Sequence, residues 1–381
     1  MTDVRVRLME PADVDEAFVA RWDGLAARAL EPNPYFEPPM LGAALAHLAD
    51  DPSIRLVVAE AADELRFLAP VHRTSRYRRV PVRTLRTWSH AHNFLGAPLV
   101  APTSPVSTWS AVLHFLRDAA SAAWFCLEEV RAEGPVVRAL QEACGRHGTT
   151  LTTLASTSRA TLDRELPADY VATRLSASRR KTLRRHRRRL SDALGAPVEV
   201  DDLALASETE LLAAVEHFLE LEAAGWKGED GGAMDVRPGH AAFFRAFCRE
   251  AARRGRLEML RLGANGTAVA YTCNVTAQDH GFGFKVAYDP AYARHSPGLL
   301  LQVEELQSMV DRGDRVRFDA CASPDGDLPN MLFADRLALA TLAVPLNRLS
   351  GPLAARVVPA LLTARERVRD RRPTRTAGGA S

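Results

Sequence analysis

The segment FGFKVAYDPAYARHSPGLLLQVEEL, residues 282 to 306, restricts the fold more than any other stretch of the chain. A strand ends at Tyr288, a loop crosses DPAYARHS, and a helix opens at Ser296-Pro297-Gly298. Ser suits the N-cap, Pro suits the first helical position, and Gly lets the backbone come close to a ligand. Such a helix start offers unpaired N–H groups and a partial positive charge to an anion. Arg294, just upstream, adds a guanidinium fork that fits phosphate. The same features also suit a well-capped helix that binds nothing. A strand that feeds a helix in this way belongs to a layered α/β structure.

Around this segment the chain alternates strand and helix patterns. VRVRL, residues 4 to 8, predicts a short strand, and PADVDEAFVARWDGLAARAL a helix through Val14, Phe18, Trp22 and Leu25. NPYFEPPMLGAALAHLAD is a Pro-rich turn into a second helix, and IRLVVAEA and LRFLAPVHRT are strands joined by a short turn. TLRTWSHAHNFLGAPLV mixes strand and loop, and helices at about 107 to 121 and 134 to 147 flank the strand AWFCLEEV. Farther on, APVEVDDL reads as a strand, and SETELLAAVEHFLELEAAGW and PGHAAFFRAFCREAARRGR as helices. LEMLRLG, TAVAYTCNVT and HGFGFKVAYD are three strands joined across ANG and AQD. The helix SPGLLLQVEELQSMVDRG ends at Gly313, and RVRFDAC is a short buried strand. Both halves follow a similar order without a residue-level repeat. Two domains are therefore expected, at residues 1–165 and 166–345, with a C-terminal helix and disordered tail at 346–381.

Composition narrows the class. Of 381 residues 47% are apolar, enough for two cores, and the net charge is only +2 from 49 basic and 47 acidic residues. A chain devoted to DNA is more often basic throughout. The five cysteines are scattered outside any CxxC spacing, which indicates neither a disulfide framework nor a zinc cage. The first residues lack an apolar signal region, and no run of about eighteen apolar residues occurs. A soluble cytoplasmic protein in a reduced compartment is expected.

Charge is nevertheless concentrated at one place. SRRKTLRRHRRRLSDALG, residues 178 to 195, holds eight Arg or Lys in the eleven positions from Arg179 to Arg189. On a helix, Leu183, Leu190 and Leu194 form a narrow docking stripe, with His186 and Arg187 at its borders, while the other faces stay charged. A solvated surface is the plain reading of such a run; steering of an anionic substrate or membrane is the functional one. Arg outnumbers Lys by 46 to three, so Lys181, Lys227 and Lys285 stand out as the ammonium groups that a guanidinium cannot imitate.

The order of hairpin, strand, YDPAYARHSPGLLL, helix and RVRFDAC resembles the acyl-donor core of GNAT acyltransferases, specifically the CelD/BcsL type found around cellulose and exopolysaccharide clusters. That type is similar to the Fem peptidyltransferases, which pair two GNAT-like domains. NPYFEPPML, LRFLAPV and WSHAHNFLGAPLV match its N-terminal pattern, so the likeness covers about residues 15 to 340. It implies an α/β fold of tandem GNAT-like domains with mixed central sheets flanked by helices. It also implies that Val286 and Ala287 pair with the pantetheine amides of an acyl-CoA or acyl carrier protein thioester. The donor pyrophosphate would sit on the N–H groups of Gly298, Leu299 and Leu300, beside Arg294 and Ser296, and Asp319 matches a family acid that faces the cleft. Arg294 fits the first place of the usual glycine motif, whereas Pro297 and Leu299 replace its glycine and small residue. That departure leaves acyl carrier protein and aminoacyl-tRNA beside free coenzyme A as donors. In related chains a basic helix also opens the second domain, which would set Arg179, Arg180, Lys181 and Arg184 near the domain boundary to hold a phosphate-bearing donor or a lipid headgroup.

Acyl transfer from a thioester to an amine needs a neutral amine, a donor for the developing oxyanion and an acid for the leaving thiolate. Many GNAT enzymes use a Tyr beyond the donor helix for the last task, and this chain has none after Tyr292. His90, Asp319 and Lys285 are the candidates for catalysis, and His92, Trp226 and Lys227 for substrate contact, the last two in the Gly-rich loop GWKGEDGG. No GxSxG elbow, P-loop, HExxH pair or Rossmann fingerprint is present, and no metal is expected. The expected activity is N-acylation of a lipid base, amino sugar or secondary metabolite in the cytoplasm, with peripheral contact at the inner membrane face. A Fem-like aminoacyl-tRNA-dependent transferase and a non-enzymatic nucleic-acid-binding protein are the alternatives.

Overall fold

VRVRL and IRLVVAEA, far apart in sequence, lie side by side. In the computed structural model, which describes residues 4–78, 80–225, 233–313 and 315–347, β1 (Arg5–Met9) runs antiparallel to β2 (Arg55–Ala61). β2 turns through Ala62 and Asp63, both left-handed, into β3 (Glu64–Thr74), a backbone twist that matches that of a tight antiparallel pair. Between β1 and β2, α1 (Glu16–Arg28) starts where the Asp15 carboxylate accepts the Phe18 N–H at 2.7 Å. It buries Phe18, Trp22 and Leu25, the face its spacing predicts. α2 (Pro38–His47) follows. β4 (Thr84–Thr87), β5 (Leu99–Val100), α3 (Pro105–Ala119), β6 (Trp124–Arg131), α4 (Pro135–Arg146) and β7 (Thr152–Glu165) complete the first half.

The second half opens with α5 (Tyr170–Arg174) and the basic helix α6 (Ala177–Leu194). Ser176 caps α6, left-handed Gly195 ends it, and Leu183 and Leu190 are buried as the stripe requires. Next come β8 (Glu199–Asp202), α7 (Glu208–Ala224), α8 (His240–Arg253), β9 (Leu257–Ala264), β10 (Thr267–Ala277) and β11 (His280–Tyr288). The ANG turn puts Asn265 and Gly266 at positive φ, as a two-residue hairpin demands. α9 (Pro297–Asp311), β12 (Arg315–Asp319), α10 (Asp327–Leu332) and β13 (Asp335–Pro345) follow. The expected C-terminal helix and tail begin at 346, and all but their first two residues lie outside the described residues.

The thirteen strands of the described residues form one mixed sheet in the order β1-β2-β3-β4-β6-β13-β7-β12-β11-β10-β9-β8, with β5 on β3. Two of them, β7 and β13, are not evident from pattern. They run antiparallel to each other, and each also pairs across the middle of the molecule: β13 with β6, β7 with β12. The last strand of the second half therefore lies against the first, and the last strand of the first half against the second. The division expected at 165/166 falls at the end of β7.

Apolar burial follows the two faces of this sheet. One cluster runs from Trp22, Phe36 and Trp109 in the first half to Phe218, Phe243, Phe247 and Phe284 under α7 and α8. On the other face, Leu183 and Leu190 of α6 pack with Leu300, Leu301 and Leu306 of α9 over Val316 and Phe318. Full burial of Leu190 contributes roughly 1.5–3 kcal/mol, which holds a helix with so many charges to the body. No helix among the described residues is long and apolar enough to cross a membrane.

Candidate active site

β11 carries two glycines because β12 comes too close for side chains. A Cβ on Gly281 would stand 2.7 Å from the Phe318 ring, and one on Gly283 would stand 2.8 Å from the Ala320 carbonyl oxygen. The parallel pairing of the two strands consists of Gly281 opposite Phe318 and Phe282 opposite Asp319, after which they part. A bulge at Phe284, between Gly283 opposite Asn274 and Lys285 opposite Cys273, bends β11 at that point. β12 ends at Asp319 whereas β11 runs on to Tyr288, which leaves the sheet open between them at this end.

The start of α9 closes one side of this opening. Gly298 packs on β11, where an added Cβ would meet Tyr288 Cδ1 at 3.3 Å and Val286 Cγ1 at 3.5 Å. Ser296 is not the side-chain cap its identity suggests: its backbone is left-handed, with φ 51°, and the hydroxyl makes no capping bond. Capping serine needs an extended backbone to reach the first-turn N–H groups. Pro297 has no N–H, and the Leu300 N–H is taken by the Ser296 carbonyl at 3.0 Å. Gly298 and Leu299 thus present the N–H groups for which no side chain supplies a cap. Val286, Ser296, Gly298 and Leu299 lie together here, whereas the Leu300 side chain is buried under α6 and Ala287 is buried on the opposite face. Arg294, exposed on the 3-10 turn Pro290–His295, donates from Nε to His295 Nε2 at 3.0 Å.

The other face of β11 gathers residues from three distant segments. Lys285 lies 4.0 Å from Glu222 of α7, which also accepts the Met234 N–H at 3.0 Å. His92 Nε2 and His240 Nδ1 are 2.8 Å apart, and the His92 ring stacks on Phe243 at 5.3 Å. His90 Nδ1 accepts the His92 backbone N–H at 3.3 Å, which leaves its proton on Nε2. Neither His90 Nε2 nor His92 Nδ1 has a hydrogen-bond partner among the described residues. Burial, helped by His240, lowers the His90 pKa to about 3; burial and then the Lys285 ammonium lower that of His92 to about 2. Both rings are therefore neutral, and His90 is a weak base compared with one poised near pH 7. Trp226 and Lys227 lie outside the described residues.

Asp319 does not face the cleft as the resemblance implies. It is 2% exposed and held in a fork by Arg159 of β7, with Nε to Oδ1 at 2.7 Å and Nη2 to Oδ2 at 2.6 Å. Its Oδ1 also accepts the Cys321 N–H at 3.0 Å, and Arg159 Nη1 reaches the Phe94 carbonyl oxygen at 2.6 Å. The carboxylate is thus committed to tying β12, β7 and the His90–Phe94 loop together. Arg179, Arg180, Lys181 and Arg184 stand apart on α6, where Arg180 donates to the Ala172 carbonyl oxygen at 2.6 Å. His240, Glu222 and Arg159 belong to the surroundings of the site without any sequence signal: each meets a partner more than sixty positions away or across an unpredicted strand. Among the described residues no group of His, Cys, Asp or Glu is placed to hold a metal ion.

Residues 177–327 match the family model described as an acetyltransferase (GNAT) domain. That match lies wholly within the second half. Its boundaries enclose α6, the hairpin strands, the opening between β11 and β12, and the start of α9. Fold likeness extends over both halves of the chain. The crystal structure of FemX superposes with a TM-score of 0.56 at 9% identity, covering 93% of this chain and all of that one. L-PGS from Bacillus licheniformis gives 0.51 at 13% identity, covering 93% and 98%, and a conserved protein of unknown function from Bacteroides thetaiotaomicron gives 0.52 at 12%, covering 91% and 100%. No curated protein sequence matches this chain.

Buried neutral histidines on this face of β11 have a measurable signature. The unfolded chain binds protons at histidine near pH 6.5, and the native state holds out until about pH 3 at His90, so native stability is lost as pH falls below 6.5. Buried Glu37 and Glu305, raised to about 7 by desolvation, move the whole curve the other way. The comparison is therefore between wild type and His90→Phe: the variant should gain about 2 kcal/mol relative to wild type between pH 7 and pH 5 in urea unfolding. A constant difference across that range would mean that His90 protonates freely in the native state.

Proposed function

We propose that this chain is an N-acyltransferase that moves an acyl group from a thioester, acyl-CoA or acyl carrier protein, to an amine on a lipid base, amino sugar or secondary metabolite. The observation that carries this reading is the opening between β11 and β12, with the unsealed start of α9 packed on Val286 and Tyr288 at one side. The missing Cβ of Gly298 and the N–H groups of Gly298 and Leu299 fit a phosphate-bearing arm. Thioester chemistry is what the arm supplies when bound; the chain holds it, aligns it along β11 and keeps water out.

The acceptor would enter from the Lys285 face, where Glu222, His92 and His240 line the approach. As its neutral nitrogen bonds to the carbonyl carbon, the C–S bond breaks. One nitrogen proton passes to the departing thiolate, and the other stays on the nitrogen as the amide N–H. Lys285 supplies fixed positive charge beside the reacting carbonyl, and the neutral His90 offers an N–H donor rather than a strong base. The resemblance to the cellulose-associated type supports a saccharide or lipid acceptor, met in the cytoplasm or at the inner membrane face.

A Fem-like transfer from aminoacyl-tRNA is the second reading, favoured by the exposed cations of α6. Calorimetry with acyl-CoA, acyl carrier protein and charged tRNA in turn distinguishes the two. Heat with either thioester and none with tRNA is the expected result; binding of tRNA alone would transfer the proposal to the second reading.

A further inference from the structure

Cations without counter-ions are concentrated on α6. Arg187 is ion-paired with Glu304 and donates to the Val198 carbonyl oxygen at 3.0 Å. Among the described residues, Arg179, Lys181, Arg184, Arg185, Arg188 and Arg189 have no ion-pair partner, in contrast to surface pairs such as Arg245–Glu216 and Arg261–Asp201. Ser178, Lys181, Thr182, Arg184, Arg185 and Arg188 lie together on one solvent-facing side of the helix. Next along it, Arg189, Asp192 and Ala193 border an open groove of about 370 Å³ with Arg294 and His295, which lead directly into the start of α9.

We infer that this cationic ridge docks a small acidic carrier protein, whose phosphopantetheine arm reaches the β11–β12 opening past Arg189 and Arg294. The inference rests on the thioester reading above and names the source of the thioester. Two observations favour a carrier over free coenzyme A. The α9 start presents two N–H groups, Gly298 and Leu299, enough for the single phosphate of a carrier arm but sparse for a pyrophosphate. The unpaired cations from Arg179 to Arg189 span roughly 15 Å of helix, more charge and length than one nucleotide phosphate would use. An acidic helix laid along that ridge matches it charge for charge.

Other polyanions fit less well. Membrane-surface helices insert apolar side chains, and the large hydrophobic residues exposed among the described residues, Leu205 and Val236, are not on α6. α6 has no Phe, Tyr or Trp, which leaves an RNA base only His186 and the guanidinium planes to stack on.

Fluorescence anisotropy and calorimetry at low and moderate salt test the inference with four probes: octanoyl-loaded acyl carrier protein, octanoyl-CoA, a short RNA duplex and phosphatidylglycerol vesicles. Wild type should bind the loaded carrier more tightly than octanoyl-CoA, with a steep loss on adding salt. Arg185→Glu/Arg188→Glu should weaken carrier binding at least about tenfold while octanoyl-CoA affinity stays within about twofold. Arg185→Ala/Arg188→Ala, which keeps the helix propensity, should show a smaller loss in the same direction. Octanoyl-CoA binding without carrier binding overturns the docking and leaves the thioester reading intact. Failure of both thioesters overturns that reading and this one with it. RNA or vesicle binding that the same substitutions abolish, without carrier binding, assigns the ridge to that partner instead and overturns the inference.

Discussion

Gly298→Glu should abolish thioester binding while leaving the protein folded. The substitution places a carboxylate where the Gly298 and Leu299 N–H groups are proposed to hold phosphate, and its Cβ would come within 3.3 Å of Tyr288 Cδ1. Two charge-assisted hydrogen bonds contribute about 3–5 kcal/mol together, so a loss of at least a hundredfold in affinity for octanoyl-CoA or a loaded carrier is expected by calorimetry. Gly298→Ala separates the two causes: Tyr288 must shift by only a few tenths of an ångström, so affinity should fall far less. Unchanged binding by the Glu variant, with circular dichroism matching wild type, would show that the donor lies elsewhere.

The largest effect on stability is expected at Arg159. Removing the guanidinium with Arg159→Met leaves Asp319 buried, charged and held only by the Cys321 N–H, which costs about 3–5 kcal/mol. Urea unfolding should register this in full, and Arg159→Met/Asp319→Leu should recover much of it because a packed apolar pair replaces a buried ion pair. Asp319→Asn then tells structure from chemistry. Strong destabilisation fits the fork described above; native stability with lost turnover would restore Asp319 as a cleft acid.

Local chemistry made part of this molecule legible. The ANG hairpin, the Leu183–Leu190 stripe on a basic helix, and the strand, loop and helix of residues 282 to 306 each depend on neighbours a few positions apart, and each is present. Ser296 shows the limit even of local reasoning, since residue type predicts a cap and backbone geometry decides it. The rest depends on distant partners. Asp319 looks like a free acid until Arg159 arrives on a strand rich in Thr and Ser, and His92 looks like a lone imidazole until His240 meets it from α8. Lys285 stands out by residue type, but its neighbour Glu222 sits inside a helix whose pattern indicates only packing.

Exchange of β7 and β13 has a consequence for how the protein is made. β6, buried from Trp124 to Leu127, waits for β13, and β13 leaves the ribosome some two hundred residues later, as estimated from their positions. Until then a nascent chain carries an apolar strand edge with nothing beside it, the kind of edge that chaperones cover and that aggregates grow from. A fragment ending at Glu165 would keep that defect permanently, and a fragment beginning at 166 would lack β7 beside β12. Synthesis, folding and completion of the cleft are thus expected to finish together, when the last strand slides between two that were made long before it.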